Sequence, residues 1–217
     1  MGIPSLLPVV SPIIEDYKMG RMSSNIFDSQ MKEALNVQDQ SDTDWLKNCW
    51  NTMVEVDEPR AKNLQEFLSS GAHTLYLVSN TNDWHFTKLG GRDFLCSLGI
   101  TDENIFISHE MSSHSPTEAA LLKCKGEAFP GESLIYLTKP EARTFALKSD
   151  QERYEGDLAK LTEAGFVTCA WPEGQSLQEA TAHLVVKPLG ATSSGAGSFS
   201  FFGSSHPLGD GFEWTLS

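Results

Sequence analysis

The chain has 217 residues, a length that suits one domain or a core with a small accessory module. Hydrophobic residues make up 40% and charged residues 21%, as in water-soluble globular proteins. The net charge of −13 argues against nucleic acid or an anionic membrane surface as a partner, because both attract basic patches. No apolar run approaches the ~18 residues of a membrane span, and the N-terminus lacks the basic start of a signal peptide, so we expect a cytoplasmic protein.

The cysteines are scattered along the chain without a C-x-x-C pair. Each has apolar neighbours in sequence, which predicts buried free thiols and fits a reducing compartment. They are Cys49, Cys96, Cys124 and Cys169.

The first third of the chain has a helical pattern. Residues 1–14 are an apolar leader interrupted by prolines, to which the pattern assigns no structure. Hydrophobic spacing then predicts helices over 13–37 (N-cap Ser23 or Ser24), over 43–54 and over 59–69. One face of the second helix collects residues expected in the core rather than around a cofactor: Trp45, Leu46, Cys49, Trp50 and Met53.

The next stretch places polar side chains directly after an apolar run. Residues 75–78 are Leu-Tyr-Leu-Val, and Ser79-Asn80-Thr81-Asn82 follow. This pattern predicts a buried parallel strand with hydroxyl and amide groups at its carboxyl end. In open α/β sheets, ligands bind at that edge.

Strands and helices alternate through the rest of the chain as far as Pro188. Further strands are predicted at 104–108, 133–138 and 166–171, and further helices at 86–98, 117–125, 152–164 and 176–184. This alternation predicts an α/β fold, a doubly wound parallel sheet with a small helical cap. We divide the chain into an unassigned leader (1–14), a helical cap-like segment (15–58), an α/β core (59–188) and a Gly/Ser-rich C-terminal tail (189–217), in which 198–202 is a possible edge strand.

Four segments carry a family resemblance in consistent order over roughly 13–185. They are Tyr17-Lys-Met-Gly-Arg-Met-Ser23, Trp50-Asn51, Leu77-Val-Ser-Asn-Thr-Asn82 with His85, and Ile107-Ser-His-Glu-Met111 followed by Pro116. The chain thereby resembles the haloacid dehalogenase (HAD) superfamily, in the helical-cap subgroup that includes sugar-phosphate phosphatases. The resemblance implies a Rossmann-like core and a phosphoryl-binding corner at Ser79, Asn80 and Thr81.

The catalytic elements that the resemblance requires are largely missing. The family's lysine falls at Ser115, and its acidic metal ligands fall at Leu137-Thr138, followed by Lys139. No strand ending in Asp-x-Asp precedes the cap-like segment. Lys123 or Lys125 could replace the lysine, and Lys139 could stand in electrostatically for the cation. The pair Asp210-Gly211 follows no apolar strand, and we do not expect it to supply the nucleophile.

The missing first strand lies in the middle of the sheet in this family, between the second and fourth strands. Without it the sheet has unpaired internal edges, which are costly. Residues 6–10, 184–187 or 198–202 are candidates to fill the slot, and so is a partner chain. An open sheet edge or the C-terminal tail would suit a protein partner or a second copy.

The predicted function is therefore binding rather than chemistry. We expect a pseudophosphatase that binds a partner protein or a phosphorylated ligand, with no cofactor. The alternative is a divergent Mg²⁺-dependent phosphatase of a phosphorylated small molecule, and a third possibility is a truncated product lacking its first strand. Residues that could face the cleft are His85, His109, Ser115, Thr138 and Lys139, and we expect the histidines to be hydrogen-bonded or exposed rather than to form a metal site.

Overall fold

The computed structural model describes residues 7–37, 44–69, 71, 73–112, 116–127, 133–138, 148–172, 174–182, 199–205 and 212–214. The helices are α1 (Leu7–Lys18), α2 (Ser24–Ala34), α3 (Trp45–Asn51), α4 (Glu58–Leu68), α5 (Asp83–Lys88), α6 (Gly91–Ser97), α7 (Ser108–Met111), α8 (Pro116–Glu127), α9 (Lys148–Glu163) and α10 (Leu177–Thr181). The strands are β1 (Val54–Val56), β2 (His73–Ser79), β3 (Ile105–Ile107), β4 (Ser133–Thr138), β5 (Val167–Ala170), β6 (Phe199–Ser205) and β7 (Phe212–Trp214). This arrangement confirms the predicted mixed α/β class.

Helix ends follow the local signals of the sequence. Ser23 is the N-cap of α2, where its hydroxyl accepts a hydrogen bond from the backbone N–H of Ile26. Ser176 and Glu179 form a capping box at α10. The helix predicted over 86–98 is divided into α5 and α6 at Gly90, whose φ of +92° ends one helix and starts the next.

The described residues form one five-stranded sheet with the order β3-β2-β6-β4-β5 and all pairs parallel. The middle strand, β6, comes from the C-terminal segment. It pairs with β2 from His73↔Phe199 to Ser79↔Ser205 and with β4 from Ser133↔Phe199 to Leu137↔Gly203. β1 and β7 form a separate parallel pair.

The position of β6 decides among the candidates for the central slot. The possible edge strand near residues 198–202 is instead the middle strand at Phe199–Ser205. The strand-like interpretation of residues 6–10 is wrong from Leu7 onward, because Leu7–Lys18 is a helix. Residues 184–187 lie outside the described residues. Since the chain itself fills the slot, a partner chain is not needed there.

Helices cover both faces of the sheet, as strand alternation requires. One face of β2, with Leu75 and Leu77, packs against residues of α4, α5, α6 and α10. The opposite face, with Tyr76 and Val78, packs against residues of α8 and α9. Full burial of a side chain such as Leu77 contributes about 2–3 kcal/mol.

The N-terminal helices form a third apolar cluster, which we call the helical cluster: Val10, Ile14, Tyr17, Phe27, Met31, Leu46, Trp50 and Trp84. The ring of Phe27 lies at its centre, stacked on Tyr17 at 4.0 Å and edge-on to Trp50 and Trp84. The leader, left unassigned by its sequence pattern, is helical from Leu7 because Val10 and Ile14 pack into this cluster. The core position predicted for Leu46 and Trp50 is confirmed.

The cysteine prediction is only partly correct. Cys169 is buried, whereas Cys49 and Cys96 are exposed. Their apolar sequence neighbours face the core while the thiols lie on the other side of short helices. Within the described part of the chain, no helix is both long and apolar enough to cross a membrane.

Candidate functional site

The carboxyl end of β2 lies between the ends of two other strands, β3 and β6. Ser79 is opposite Ile107 of β3 and opposite Ser205 of β6. Ser79 is fully buried, and Asn80 and Thr81 are 5% exposed. The strand end predicted to carry the ligand site is therefore at the expected edge, but helices and loops cover it.

Asn80 has an unusual environment for a buried amide. Its Oδ1 is inaccessible to solvent and accepts no hydrogen bond among the described residues. An unpaired buried polar atom costs about 1–3 kcal/mol, and Asn80 Oδ1 is one of eight such atoms among the described residues. Asn80 is the described residue of this corner with unused hydrogen-bonding capacity.

His85 serves in a hydrogen-bond chain that joins the sheet to the helical cluster. Asn82 caps α5 by accepting from the backbone N–H of His85 through Oδ1, so its Nδ2 must donate to His85 Nδ1, at 3.1 Å. His85 Nε2 then carries the hydrogen and donates to the carbonyl oxygen of Trp50 at 3.0 Å. Burial lowers the pKa of His85 to about 4, so the ring is neutral at pH 7. Both ring nitrogens are therefore engaged in hydrogen bonds.

Thr81 is held through its backbone carbonyl. That oxygen accepts from Ser108 Oγ at 3.0 Å and from His109 Nδ1 at 3.3 Å. Ser108 Oγ also lies 2.8 Å from the carbonyl oxygen of Lys18, so one hydroxyl joins the ends of β2 and α1. Burial lowers the pKa of His109, which favours its neutral form.

The turn after α1 approaches the sheet edge so closely that only glycine fits. Gly20 has a φ of +63°, and a Cβ there would lie 1.9 Å from the carbonyl oxygen of His109. A side chain at this position would both strain the backbone and collide with it. This contact explains the glycine in the segment Tyr17-Lys-Met-Gly-Arg-Met-Ser23.

A second hydrogen-bond chain crosses between the helical cluster and α5. The hydroxyl of Ser24 donates to the carboxylate of Asp83, and the Tyr17 hydroxyl donates to Ser24 Oγ at 2.9 Å. Tyr17 also accepts from the backbone N–H of Trp84 at 3.1 Å. Burial raises the pKa of Tyr17, which therefore stays protonated. Sequence reasoning did not assign these roles, because the partners are 59 to 67 residues apart.

Apart from the exposed carboxylate of Asp83, the described part of the site provides neutral or paired groups. Lys18 is buried, but its ammonium pairs with Glu15 at 3.0 Å. His85 and His109 are both shifted toward their neutral forms. Among the described residues, no three His, Cys, Asp or Glu side chains come together as a metal site. Such an edge suits hydrogen bonding more than the stabilisation of accumulating charge.

Several predicted cleft residues fall outside what is described. Ser115 and Lys139 lie outside the described residues, and so do His114 and Asp210. Thr138 is the last residue of β4. Lys123 is on α8, where its ammonium donates to the backbone oxygen of Glu103. It therefore does not occupy the position of the family's lysine at the strand end.

Comparison of the chain with protein-family models, with curated proteins and with solved structures found no match in any of the three.

Proposed function

We propose that the chain has a HAD-like fold without HAD catalysis, and that it binds a phosphorylated small molecule beside Ser79 without hydrolysing it. The strand order supports the proposal. In the family, the nucleophile strand lies between the second and fourth strands, and here β6 lies between β2 and β4. The helical cluster would correspond to the family's cap.

The observation that carries the proposal is the sequence at the end of β6. Its last residues are Gly203-Ser204-Ser205, and Ser205 is opposite Ser79 in the register. The family requires an aspartate nucleophile at such a strand end, because a carboxylate must attack the phosphorus. A strand that supplies serine there leaves the phosphoryl-binding corner without its nucleophile.

The neutral surroundings of the corner support binding without turnover. Phosphoryl transfer needs cations to offset charge on the transferring group, and Lys18 is engaged with Glu15. Hydroxyl and amide groups at Ser79 and Asn80 suffice to hydrogen-bond a phosphate oxygen or a ligand hydroxyl. We do not propose that a protein docks at an open internal sheet edge, because β6 pairs with β2 on one side and with β4 on the other.

The alternative of a divergent Mg²⁺-dependent phosphatase requires a carboxylate beside the Ser79 hydroxyl, and the residue to test for this role is Asp210, which follows β6 in the sequence. A strand does precede this residue, contrary to the sequence interpretation, but β6 ends at Ser205, five positions earlier. Asp210 would need the intervening residues to bring its carboxylate back to the edge. The two functions therefore differ in whether Asp210 matters.

Two measurements on the full chain test the proposal. Inorganic phosphate and glucose 6-phosphate are titrated into labelled protein while amide NMR signals of residues 79–82 are followed, and p-nitrophenyl phosphate hydrolysis is assayed with Mg²⁺. We expect saturable shifts that weaken in Ser79→Ala but not in Ser97→Ala, whose exposed hydroxyl lies on α6. We expect no Mg²⁺-dependent turnover.

Turnover that disappears in both Ser79→Ala and Asp210→Asn would establish the phosphatase alternative and refute the proposal. Absence of any shift at residues 79–82, with intact folding, would refute phosphate binding in either form.

A further inference from the structure

A cavity of ≈ 450 Å³ lies where α3, β1 and α5 end. Its size is in the range of small-molecule sites, about 300–1,000 Å³. Val54, Val56 and Leu89 form its apolar wall. Its polar lining consists of Asn48, Asn51, Thr52, Glu55 and Lys88.

Two opposite charges line this cavity without pairing. Lys88, on the last turn of α5, and Glu55, in the middle of β1, are both exposed. Within the described residues neither forms an ion pair, with the other or with a third residue, although several neighbouring charges do. Because opposite charges at a shared opening attract, their separation leaves both available to a ligand that carries the complementary charges.

We propose that this cavity binds a small zwitterion, with its ammonium group at Glu55 and its anionic group at Lys88. The ammonium group gains the Glu55 carboxylate as its partner. The anionic group gains the Lys88 ammonium, and the methylene groups between them lie on the apolar wall of Val54, Val56 and Leu89. A ligand with one charge alone leaves one of the two protein charges without a partner.

This site is separate from the strand-end corner. Asn82 begins α5 and Lys88 ends it, so about 9 Å of helix lies between the two sites at 1.5 Å per residue. The inference is independent of the proposed function, since phosphate binding at Ser79 and zwitterion binding at Lys88 involve different residues.

The test uses ω-amino acids of increasing length as probes on the full chain. Glycine, 4-aminobutyrate and 6-aminohexanoate are titrated into ¹⁵N-labelled protein, with hexylamine and hexanoate as single-charge controls. We expect saturable shifts in the side-chain amide signals of Asn48 and Asn51 and in the backbone signals of residues 88–89. At least one zwitterion binds about fivefold more tightly than either control, the size expected of one partly exposed charge pair.

Matched variants separate the two charges. Lys88→Met should weaken binding of the zwitterion and of hexanoate about fivefold and leave binding of hexylamine unchanged. Glu55→Gln should weaken binding of hexylamine and leave binding of hexanoate unchanged. Lys62→Met and Glu66→Gln remove the same charges from the exposed face of α4 and should leave binding unchanged. Thermal unfolding of each variant verifies that it is folded.

Three results would overturn the inference. One is the absence of saturable shifts around the cavity with every probe. Another is equal affinity for 6-aminohexanoate, hexylamine and hexanoate. The third is an equal effect of Lys88→Met and Lys62→Met, which would show that only the overall charge matters. If a cavity variant fails to fold, the probe series with the unmodified chain still tests whether the cavity prefers a zwitterion.

Discussion

The helical cluster and the five-stranded sheet are assembled from the sequence in opposite ways. Seven of the eight buried members of the cluster fall between Val10 and Trp50, and Trp84 alone joins from beyond. The sheet instead depends on β6, which begins 120 residues after β2 ends and lies between β2 and β4. Local contacts form cheaply, whereas closing a long loop costs entropy before the strand is paired.

Polar contacts join the N-terminal helices to α5 and α7, which follow β2 and β3. We call them the seam: Tyr17 with Trp84, Ser24 with Asp83, Trp50 with His85, Lys18 with Ser108, and Gly20 against His109. The hydrogen bonds of Tyr17, Trp50 and Lys18 are buried and have little competition from water, whereas the bond from Ser24 to Asp83 is exposed. The comparison therefore predicts that damage to β6 removes the sheet, while damage to the seam loosens its attachment to the cluster.

Removal of residues 199–217 should have the largest effect. The edges of β2 and β4 that pair with β6 would lose their partners, and the expected loss exceeds the about 5–15 kcal/mol stability of a typical domain. We expect the cooperative thermal transition to disappear in circular dichroism. Removal of 212–217 alone deletes β7 and spares the sheet, so it should retain the transition. A truncation at 198 that unfolds like the full chain would contradict the central role of β6.

Acidification should weaken the seam at His85. The pKa of His85 is about 4 in the folded chain, whereas an ordinary histidine has a pKa of 6.5. Below pH 6.5 the unfolded chain therefore binds the proton more tightly than the folded chain does. Stability present at pH 7 is therefore lost as the pH falls from about 6.5 to about 4, by about 3 kcal/mol.

Urea unfolding at pH 7 and at pH 4.5 measures this loss. His85→Gln removes the titrating group, so its stability should fall less between the two pH values than that of the unmodified chain. His109, whose pKa is also lowered, should leave some pH dependence in the variant. Equal losses in the two proteins would contradict a neutral His85 in the seam.

Gly20→Ala should separate steric closeness from backbone strain. Gly20 and Gly71 have nearly the same φ, +63° and +64°, but a Cβ at Gly71 meets nothing within 4 Å. We expect about 1 kcal/mol of destabilisation for Gly71→Ala from the backbone alone, and about 2–4 kcal/mol for Gly20→Ala, where the turn must also move away from His109. Chemical denaturation of both variants measures the difference. Equal effects would show that the contact between the turn and His109 carries no energy.

Of the four changes, Tyr17→Phe should have the smallest effect on stability. It retains the ring that stacks on Phe27 and removes the hydroxyl, which leaves the buried N–H of Trp84 without its acceptor. We expect a loss of about 1–2 kcal/mol, and faster hydrogen exchange at Trp84 than in the unmodified chain. Ser29→Ala removes an exposed hydroxyl bonded to the backbone oxygen of Asn25 and should cost little. Unchanged exchange at Trp84 would contradict the hydrogen bond.

Much of the secondary structure could be predicted from short-range patterns. Ser23 and Ser176 cap helices because a side-chain oxygen can reach a backbone N–H three residues ahead. The apolar run before Ser79 indicated a buried strand because a parallel strand is covered on both faces. For His85 the sequence left a hydrogen-bonded and an exposed role open, and its bond to the carbonyl oxygen of Trp50 could not be predicted because Trp50 is 35 residues away.

Local patterns were sufficient to predict the N-cap of α2, four strands of the sheet and the polar strand end at Ser79, since these depend on residues close together in the chain. Only the tertiary structure decided that Phe199–Ser205 lies in the middle of the sheet, because its Gly/Ser-rich surroundings resemble a tail and only pairing with β2 and β4 makes it a strand. Tertiary packing likewise made the leader helical from Leu7 and exposed Cys49 and Cys96. For β6 the deciding contacts join residues far apart in sequence, where local patterns carry no information.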